Sequence, residues 1–435
     1  MKQLNELATP FATVAESSDL PGQDLPWLQA LRQRALTQFS TAGLPAKKQE
    51  DWKYTSLWNL SQHPFTHQAV ESTVDAAQVE DLALLDDAYR LVIVDGVYVA
   101  TLSQLDDLPV GLTVCPFSAS LDSVKQQLGQ QVALDKVGLT ALNTLLMKEG
   151  VMVHVAADTV VDKPIELLVI NSGATADLAT HLRNMIVLDV NAQATVVEHY
   201  VGVTEGVNFT NVVSEVVLAE QAELFHYKLQ QESHQAFHIA TLAAKQAAGS
   251  QWHTQNITLG GKLSRNDVHS RLEGEQSHTT MDGLYLLNDE QHADTHTRID
   301  HLVPNTTSNE LYKGVLNDEC HGVFNGKVIV HQDAQKTDSN QYNHNLLLSR
   351  GCAIDTKPEM EIYADDVKCG HGSTVGQLDM DQLFFLRARG LDDVTARSLL
   401  THAFAVDVLA RLPSETIRQA LSAVIEQRLP RGEKS

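Results

Sequence analysis

Cysteine is scarce: Cys115, Cys320, Cys352 and Cys369 are the four in 435 residues. So few, so widely spaced, they exclude a disulfide framework and fit reduced thiols inside a cell. Long apolar runs are missing as well. No stretch approaches the roughly 18 consecutive apolar residues that a membrane helix needs. Positive charge is in short supply, with 32 Lys and Arg against 55 Asp and Glu and a net charge of −23. No basic patch stands out, so nucleic acid is not an expected partner. The start, Met1-Lys-Gln-Leu-Asn-Glu-Leu7, carries an acid and no apolar segment, unlike a secretory signal. These absences predict a cytoplasmic protein with no membrane partner.

Nucleotide and nucleophile motifs are missing too. Gly260-Gly261-Lys262 looks like a phosphate loop, but Leu263 replaces the required hydroxyl and Asn256 stands where a glycine is needed. No Gly-x-Gly-x-x-Gly follows a strand, and no Gly-x-Ser-x-Gly elbow is present. The chain is expected to bind no ATP by itself.

What is present is ample apolar content, 43%, enough to exclude a disordered chain. At 435 residues, two or three structural units are expected. Residues 1–150 read as an α+β unit. Pro26 suits a helix's first turn, Asp24 can cap it, and Trp27, Leu28, Leu31, Leu36 and Phe39 recur at helical spacing before Gly43. Lys48 to Thr55 mixes charge with rings and reads as a surface docking element or a solvated turn. Residues 89–100 read as a hairpin around Asp95-Gly96, and Leu139, Leu142, Leu145 and Leu146 share a helix face.

From 151 to 378 short alternating runs dominate, such as Val151-Met-Val-His-Val155 and Val212-Val-Ser-Glu-Val-Val-Leu218. Leu287-Asn-Asp-Glu-Gln-His292 recurs 29 residues later as Leu316-Asn-Asp-Glu-Cys-His321. Repetition with monotonous short strands predicts a β-solenoid whose polar residues, histidines included, face outward. The final unit, 379–435, is helical. Asp379, Asp392 and Ser414 begin three helices, Gly390 stops the first, and Pro430 ends the last. Such an appendage would cap the solenoid end or dock a partner.

Thirteen of nineteen histidines lie between His226 and His371. His234 and His238 are spaced i,i+4, and His292, Asp294 and His296 would share one face of a strand, with His301 beyond. Three converging ligands could hold zinc; the alternative is harmless outward polar positions. Cys369 and His371 lie two apart, so an extended segment points both to one side. A thiolate and an imidazole there can ligate iron or an iron–sulfur cluster, with further donors from another chain. The alternative is a buried structural cysteine beside a capping histidine.

The stretch from 320 to 410 resembles the SufB/SufD family of the SUF iron–sulfur cluster assembly scaffold. The residues that carry it are Phe324-Asn-Gly326, Gln335-Lys-Thr-Asp338, Lys357-Pro358, Glu361-Ile-Tyr-Ala-Asp-Asp-Val-Lys-Cys369, His371-Gly372, Thr374-Val-Gly376 and Leu383-Phe-Phe-Leu-Arg-Ala-Arg-Gly390. Weaker matches are Asp51-Trp-Lys-Tyr-Thr55, Leu142-Asn143 and Lys163-Pro-Ile165. The Lys-Thr-Asp and Lys-Pro versions look like the SufD type. The resemblance implies a mainly β fold, a right-handed parallel β-helix core between an N-terminal α+β or helical region and a C-terminal helical domain.

It also implies a non-enzymatic scaffold subunit. Such a subunit pairs with a SufB-like subunit through the β-helix end and holds a SufC-like ATPase on its C-terminal helices; a homodimer is possible when it is isolated. Cys369 and His371 match the family's interface pair, where a transient cluster would sit, and Gly370 occupies a position often filled by serine. Phe384, Phe385, Arg387, Arg389, Gly390 and Phe404 are candidate ATPase-docking residues. Flavin is connected with complexes of this family, but the sequence shows no flavin motif. Two alternatives of other classes are a β-helical enzyme acting on a polysaccharide or small molecule, and a metal-storing protein using the histidines.

Overall fold

A computed structural model describes residues 20–132 and 138–429. Nineteen strands run in chain order from β1 (Tyr89–Val94), β2 (Val97–Tyr98), β3 (Leu112–Pro116) and β4 (Val151–Val155) to β18 (Ala353–Ile362) and β19 (Lys368–Gly376). From β5 (Ile165–Asn171) and β6 (Leu178–Leu188) onward, odd strands join one sheet and even strands the other. Each coil therefore lays one strand in each sheet, and every strand pairs in parallel with the one two ahead. This is a parallel β-solenoid of two facing sheets.

The repeated hexapeptide is one coil of this winding. Leu287, closing β13 (His278–Leu287), pairs with Leu316 at the end of β15 (Thr307–Leu316). His292, opening β14 (His292–His301), pairs with His321 at the start of β16 (His321–Val330). Between them the corner needs a left-handed residue, supplied by Asp289 (φ 52°) and Asp318 (φ 56°). Aspartate tolerates that conformation better than most residues, which is why Asn-Asp recurs. Gly283 and Gly314 have a packing reason instead. A Cβ at either would overlap an interior ring, that of Tyr312 or Tyr285 respectively.

Inward side chains from both sheets form one continuous apolar cluster, including Leu167, Val196 and Leu224 from one sheet and Val153, Leu182 and Val212 from the other. The outer faces are covered by helices. On the even-stranded face lie α1 (Pro26–Ala42) and α5 (Gly138–Leu146), where Phe39, Leu142 and Leu145 meet Phe209, Phe237 and Leu263. Short helices α2 (Trp58–Gln62), α3 (Ala76–Leu82) and α4 (Leu121–Val124) complete the N-terminal part. Asn143 fastens α5 by donating to the Leu182 and Asn211 carbonyls, at 2.8 and 3.0 Å. Arg183 accompanies it, fully buried and paired with Glu215 at 2.5 Å. Leu25, not Asp24, is the N-cap of α1, and no side chain bonds there. Pro26 already removes one of the donors a cap would satisfy.

The 89–100 hairpin forms as expected, with Asp95 (φ 52°) and Gly96 (φ 77°) in its turn. However, β1 also pairs in parallel with β5, and β3 pairs with β4, itself the neighbour of β6, so both sheets extend back before residue 150. The C-terminal helices α6 (Met380–Ala388), α7 (Asp393–Val406) and α8 (Glu415–Arg428) start at the expected caps, Asp379, Asp392 and Ser414. They do not cover the solenoid end. Ala405, Val408, Leu409, Ile417, Leu421 and Ile425 pack across the outer face of the odd-stranded sheet, against Tyr227, Leu229, Ile257 and Leu284. The last-helix stop at Pro430 lies outside the described residues.

The expectation that histidines face outward is wrong for His226, His238 and His301, which are fully buried inside the coil. His181 and His199 do point outward but are nearly buried on the covered outer faces. His238 sits between Glu232 (2.7 Å) and Lys228 (2.7 Å), and His226 lies 3.1 Å from Glu198. A parallel coil gives inward and outward positions the same spacing, so an imidazole can stand inside if its partners do.

Burial holds His301 down at about 3, and His67, His253 and His292 at about 4. These rings stay neutral when folded and protonate near 6.5 when unfolded, so their stability is complete above pH 6.5 and is lost toward pH 4. Asp282 and Glu310, pushed up to about 7 by burial, act oppositely over the same range. Four imidazoles outweigh two carboxyls. Stability should therefore fall by on the order of a few kcal/mol between pH 7 and pH 4. Urea midpoints at a series of pH values check this; a flat or rising profile on acidification contradicts it.

Candidate functional site

The parallel ladder stops at β18 in one sheet and β19 in the other, and neither has a further neighbour among the described residues. One end of the solenoid thus presents two adjacent strand edges whose outward N–H and C=O groups have no ladder partner. Ile362, Tyr363 and Val375 stand exposed there.

Cys369 and His371 are on β19, paired in register with Ser339 and Gln341 of β17 (Asp338–Leu347). Strand alternation puts both on the inward side at the solenoid mouth. The cysteine is half-buried and touches the interior apolar cluster, while the histidine is exposed. Burial raises the Cys369 pKa against an opposing backbone hydrogen bond at Ser339, and the Asp338 carboxylate raises it further. The thiol is thus protonated at neutral pH. Gly370 has an ordinary negative-φ backbone, and a Cβ there would meet only Asn340 Oδ1, at 3.6 Å. A serine would fit; the glycine reflects no steric demand.

Behind Cys369 the interior is polar. Ser339 is hydrogen-bonded to Ser308 at 2.8 Å, and Ser308 to His301 at 2.9 Å. The pattern of the sequence did not reveal this, because serines at alternate positions read as an outward face.

The other cysteines are of a different kind. Cys320 and Cys352 are buried, their thiols 3.6 and 3.5 Å from the Leu287 and Leu316 carbonyls, and burial pushes Cys320 up to about 12. Cys115 is half-buried, its thiol raised by burial and by Glu149.

The zinc reading of His292, Asp294 and His296 is overturned. Among the described residues no three His, Cys, Asp or Glu side chains converge as a metal site. Asp294 is committed to Arg265, 2.5 Å away, whose fork also grips Asp267 at 2.8 Å. Thr55 donates to Asp294 and is hydrogen-bonded to His292 at 2.8 Å. The Trp52 ring lies 4.2 Å from the Arg265 guanidinium, which also donates to the Asp51 carbonyl at 2.7 Å. The 48–55 segment is therefore a docking element, but its dock is this chain's own sheet. His234 and His238 do not converge either: His234 faces the surface near Asp289, 3.4 Å away.

On α6 only Leu383 is buried. Phe384 and Phe385 are 73% and 53% exposed, and the Arg389 guanidinium stacks 3.4 Å from the Phe385 ring. Arg387 pairs with Asp393 at 3.2 Å, and Gly390 ends the helix at φ 96°. Phe404 differs from these. It packs with the helices on the sheet, its ring 4.5 Å from Lys313 Nζ.

A cleft of about 530 Å³ lies between the 42–52 segment and the even-stranded sheet, lined in part by Arg298, Lys327 and Lys357. Each cation is already paired, with Asp300, Glu361 and Glu50 or Glu359 respectively, so no convergent anion site results. No helix among the described residues is long and apolar enough to cross a membrane.

Two family profiles cover most of the chain. Residues 169–404 match "SUF system FeS cluster assembly, SufBD core domain", and residues 11–167 match "SufBD protein N-terminal region". A SufBD family iron–sulfur cluster assembly protein of Synechocystis is 33% identical over 97% of this chain and 96% of its own. The iron–sulfur cluster assembly protein SufD of Escherichia coli is 34% identical over 92% of this chain and 93% of its own. A chloroplastic protein of Arabidopsis thaliana, ABCI7, is 30% identical over 96% and 88%.

The Arg265 cluster yields a test. Arg265→Met leaves Asp267 and Asp294 buried without their cation and should cost about 3–5 kcal/mol, with Asp294→Asn costing less. Urea unfolding measures both; a nearly neutral Arg265→Met would mean the ion cluster does not hold the segment.

Proposed function

The chain belongs to the SufBD family of iron–sulfur cluster assembly proteins, and from that premise we propose that it is a non-enzymatic scaffold subunit of the SufD type. Its open solenoid end pairs with the corresponding end of a SufB-like subunit, and its C-terminal helices hold a SufC-like ATPase. The observation that carries this reading is the coincidence of two unpaired strand edges with a thiol and an imidazole on one face. A cluster or iron ion is cargo here. Cys369 Sγ and a His371 ring nitrogen supply two of the donors it needs, and the partner subunit supplies the rest. A protonated thiol suits a site that loads only when the partner closes it, since binding must then expel the proton.

The docking role of the helices rests on α6. Exposed adjacent aromatic side chains, one stacked under an arginine, are the residue types that dominate interface energetics. Phe404, packed on the sheet beside Lys313, fixes the helix that follows α6. Energy reaches this subunit from the partner's ATP hydrolysis, since Gly260-Gly261-Lys262 lacks the hydroxyl and the first glycine of a working phosphate loop.

Cys369→Ala with His371→Ala should leave the fold intact and reduce cluster formation in the reconstituted complex on the order of tenfold or more. Iron and sulfide content per complex reads this out, and an unchanged yield removes both residues from the ligand set. Phe384→Glu with Phe385→Glu should change stability by less than about 0.5 kcal/mol, since both side chains are exposed. It should weaken ATPase-subunit binding by more than about tenfold. Titration calorimetry measures the affinity; unchanged binding would place the docking surface elsewhere.

A further inference from the structure

The column of inward residues beginning at His371 continues through Gln341 to Glu310, one residue per strand across β19, β17 and β15. Gln341 and Glu310 are both buried, with relative exposures of 0% and 1%. Gln341 Nε2 donates to Glu310 Oε2 at 2.6 Å. From the facing sheet, Gly326 closes on the same amide: a Cβ at Gly326 would lie 2.4 Å from Nε2. The glycine of the Phe324-Asn-Gly326 motif therefore makes the room in which this amide is clamped. With Nε2 held at both sides, the other end of the amide is fixed as well. That end, Gln341 Oε1, is buried and has no hydrogen-bond partner.

An orphaned buried acceptor is costly, about 1–3 kcal/mol, and needs a reason. The residue paired with Gln341 on the outer side is His371, an exposed imidazole that makes no side-chain hydrogen bond in this structure. A metal-binding histidine almost always donates its second ring N–H to a carbonyl or carboxylate, which fixes its tautomer and aims the free lone pair. We propose that Gln341, clamped by Glu310 and Gly326, is a positioning residue for His371: its Oε1 accepts one imidazole N–H and turns the other ring nitrogen toward the open end. Burial pushes the Glu310 carboxyl up to about 7, and in either protonation state it can accept from the Gln341 amide. The inference rests on the reading of His371 as a cluster donor, but its test does not.

The full-length, metal-free chain with nitrogen-15-labelled histidine is examined by NMR above the imidazole titration range, the His371 signals being assigned by their loss in His371→Ala. The wild type should show two widely separated ring-nitrogen shifts, one protonated and one bare. In Gln341→Leu the two shifts should draw together to those of a free imidazole, with no comparable change at His344. The exchange Glu310→Gln with Gln341→Glu keeps an acceptor beside His371 and an amide behind it, and should restore the separation. If Gln341→Leu does not fold, Gly326→Ala, which displaces the amide, should produce the same narrowing. An unchanged tautomer in a folded Gln341→Leu or Gly326→Ala protein overturns the proposal. A wild type that already shows averaged shifts overturns it too. Unchanged cluster assembly in a Gln341→Leu protein that does show the tautomer effect would count against the reading of His371 as a cluster donor alone.

Discussion

Everything in this molecule depends on the parallel ladder that joins each coil to the next. A parallel strand satisfies its backbone groups only through neighbours on both sides, so a stack of coils is stable inside and incomplete at its ends. The N-terminal end is closed by turning the direction of the chain. β2 runs antiparallel to β1, and β3 antiparallel to β4. The other end has no such device. There the same hydrogen bonds that hold the coils together are left presented, and the thiol and imidazole of β19 stand among them.

The outer layers show how a solenoid with two apolar outer flanks becomes one body. N-terminal helices cover one flank and C-terminal helices the other, each held by a buried or half-buried cation as well as by apolar contact. Arg183 and Arg265 anchor the first layer, and Lys313, paired with Asp407 at 2.6 Å, helps anchor the second. Because α7 and α8 use their apolar faces on the sheet, α6 alone among the described C-terminal helices offers exposed aromatic rings.

Much of this was legible in the residues, for identifiable reasons. The repeated Leu-Asn-Asp-Glu hexapeptide marks a coil because its corner demands a left-handed residue that aspartate tolerates. Asp379, Asp392 and Ser414 announce helix starts because a side-chain oxygen there has a definite donor to meet. The Cys369–His371 pair was legible as two donors on one strand face. The interior was not. Ser339, Gln341 and His301 occupy alternate positions that look the same whether the face is wet or buried, and only the facing sheet decides. The His292–Asp294–His296 spacing misled for a related cause: it puts the three on one strand face, but a cation from the neighbouring strand claims the carboxylate.

The antiparallel strands at the closed end set a rule for assembly. A second copy approaching the open end cannot offer its own closed end as the next coil, because those edge strands run the wrong way to continue the ladder. Head-to-tail growth into a fibre is disfavoured on a second count, because β18 carries Asp355, Lys357, Pro358, Glu359 and Glu361 along its edge. Continuing the parallel winding takes a second free parallel edge, which the antiparallel end of another copy does not have.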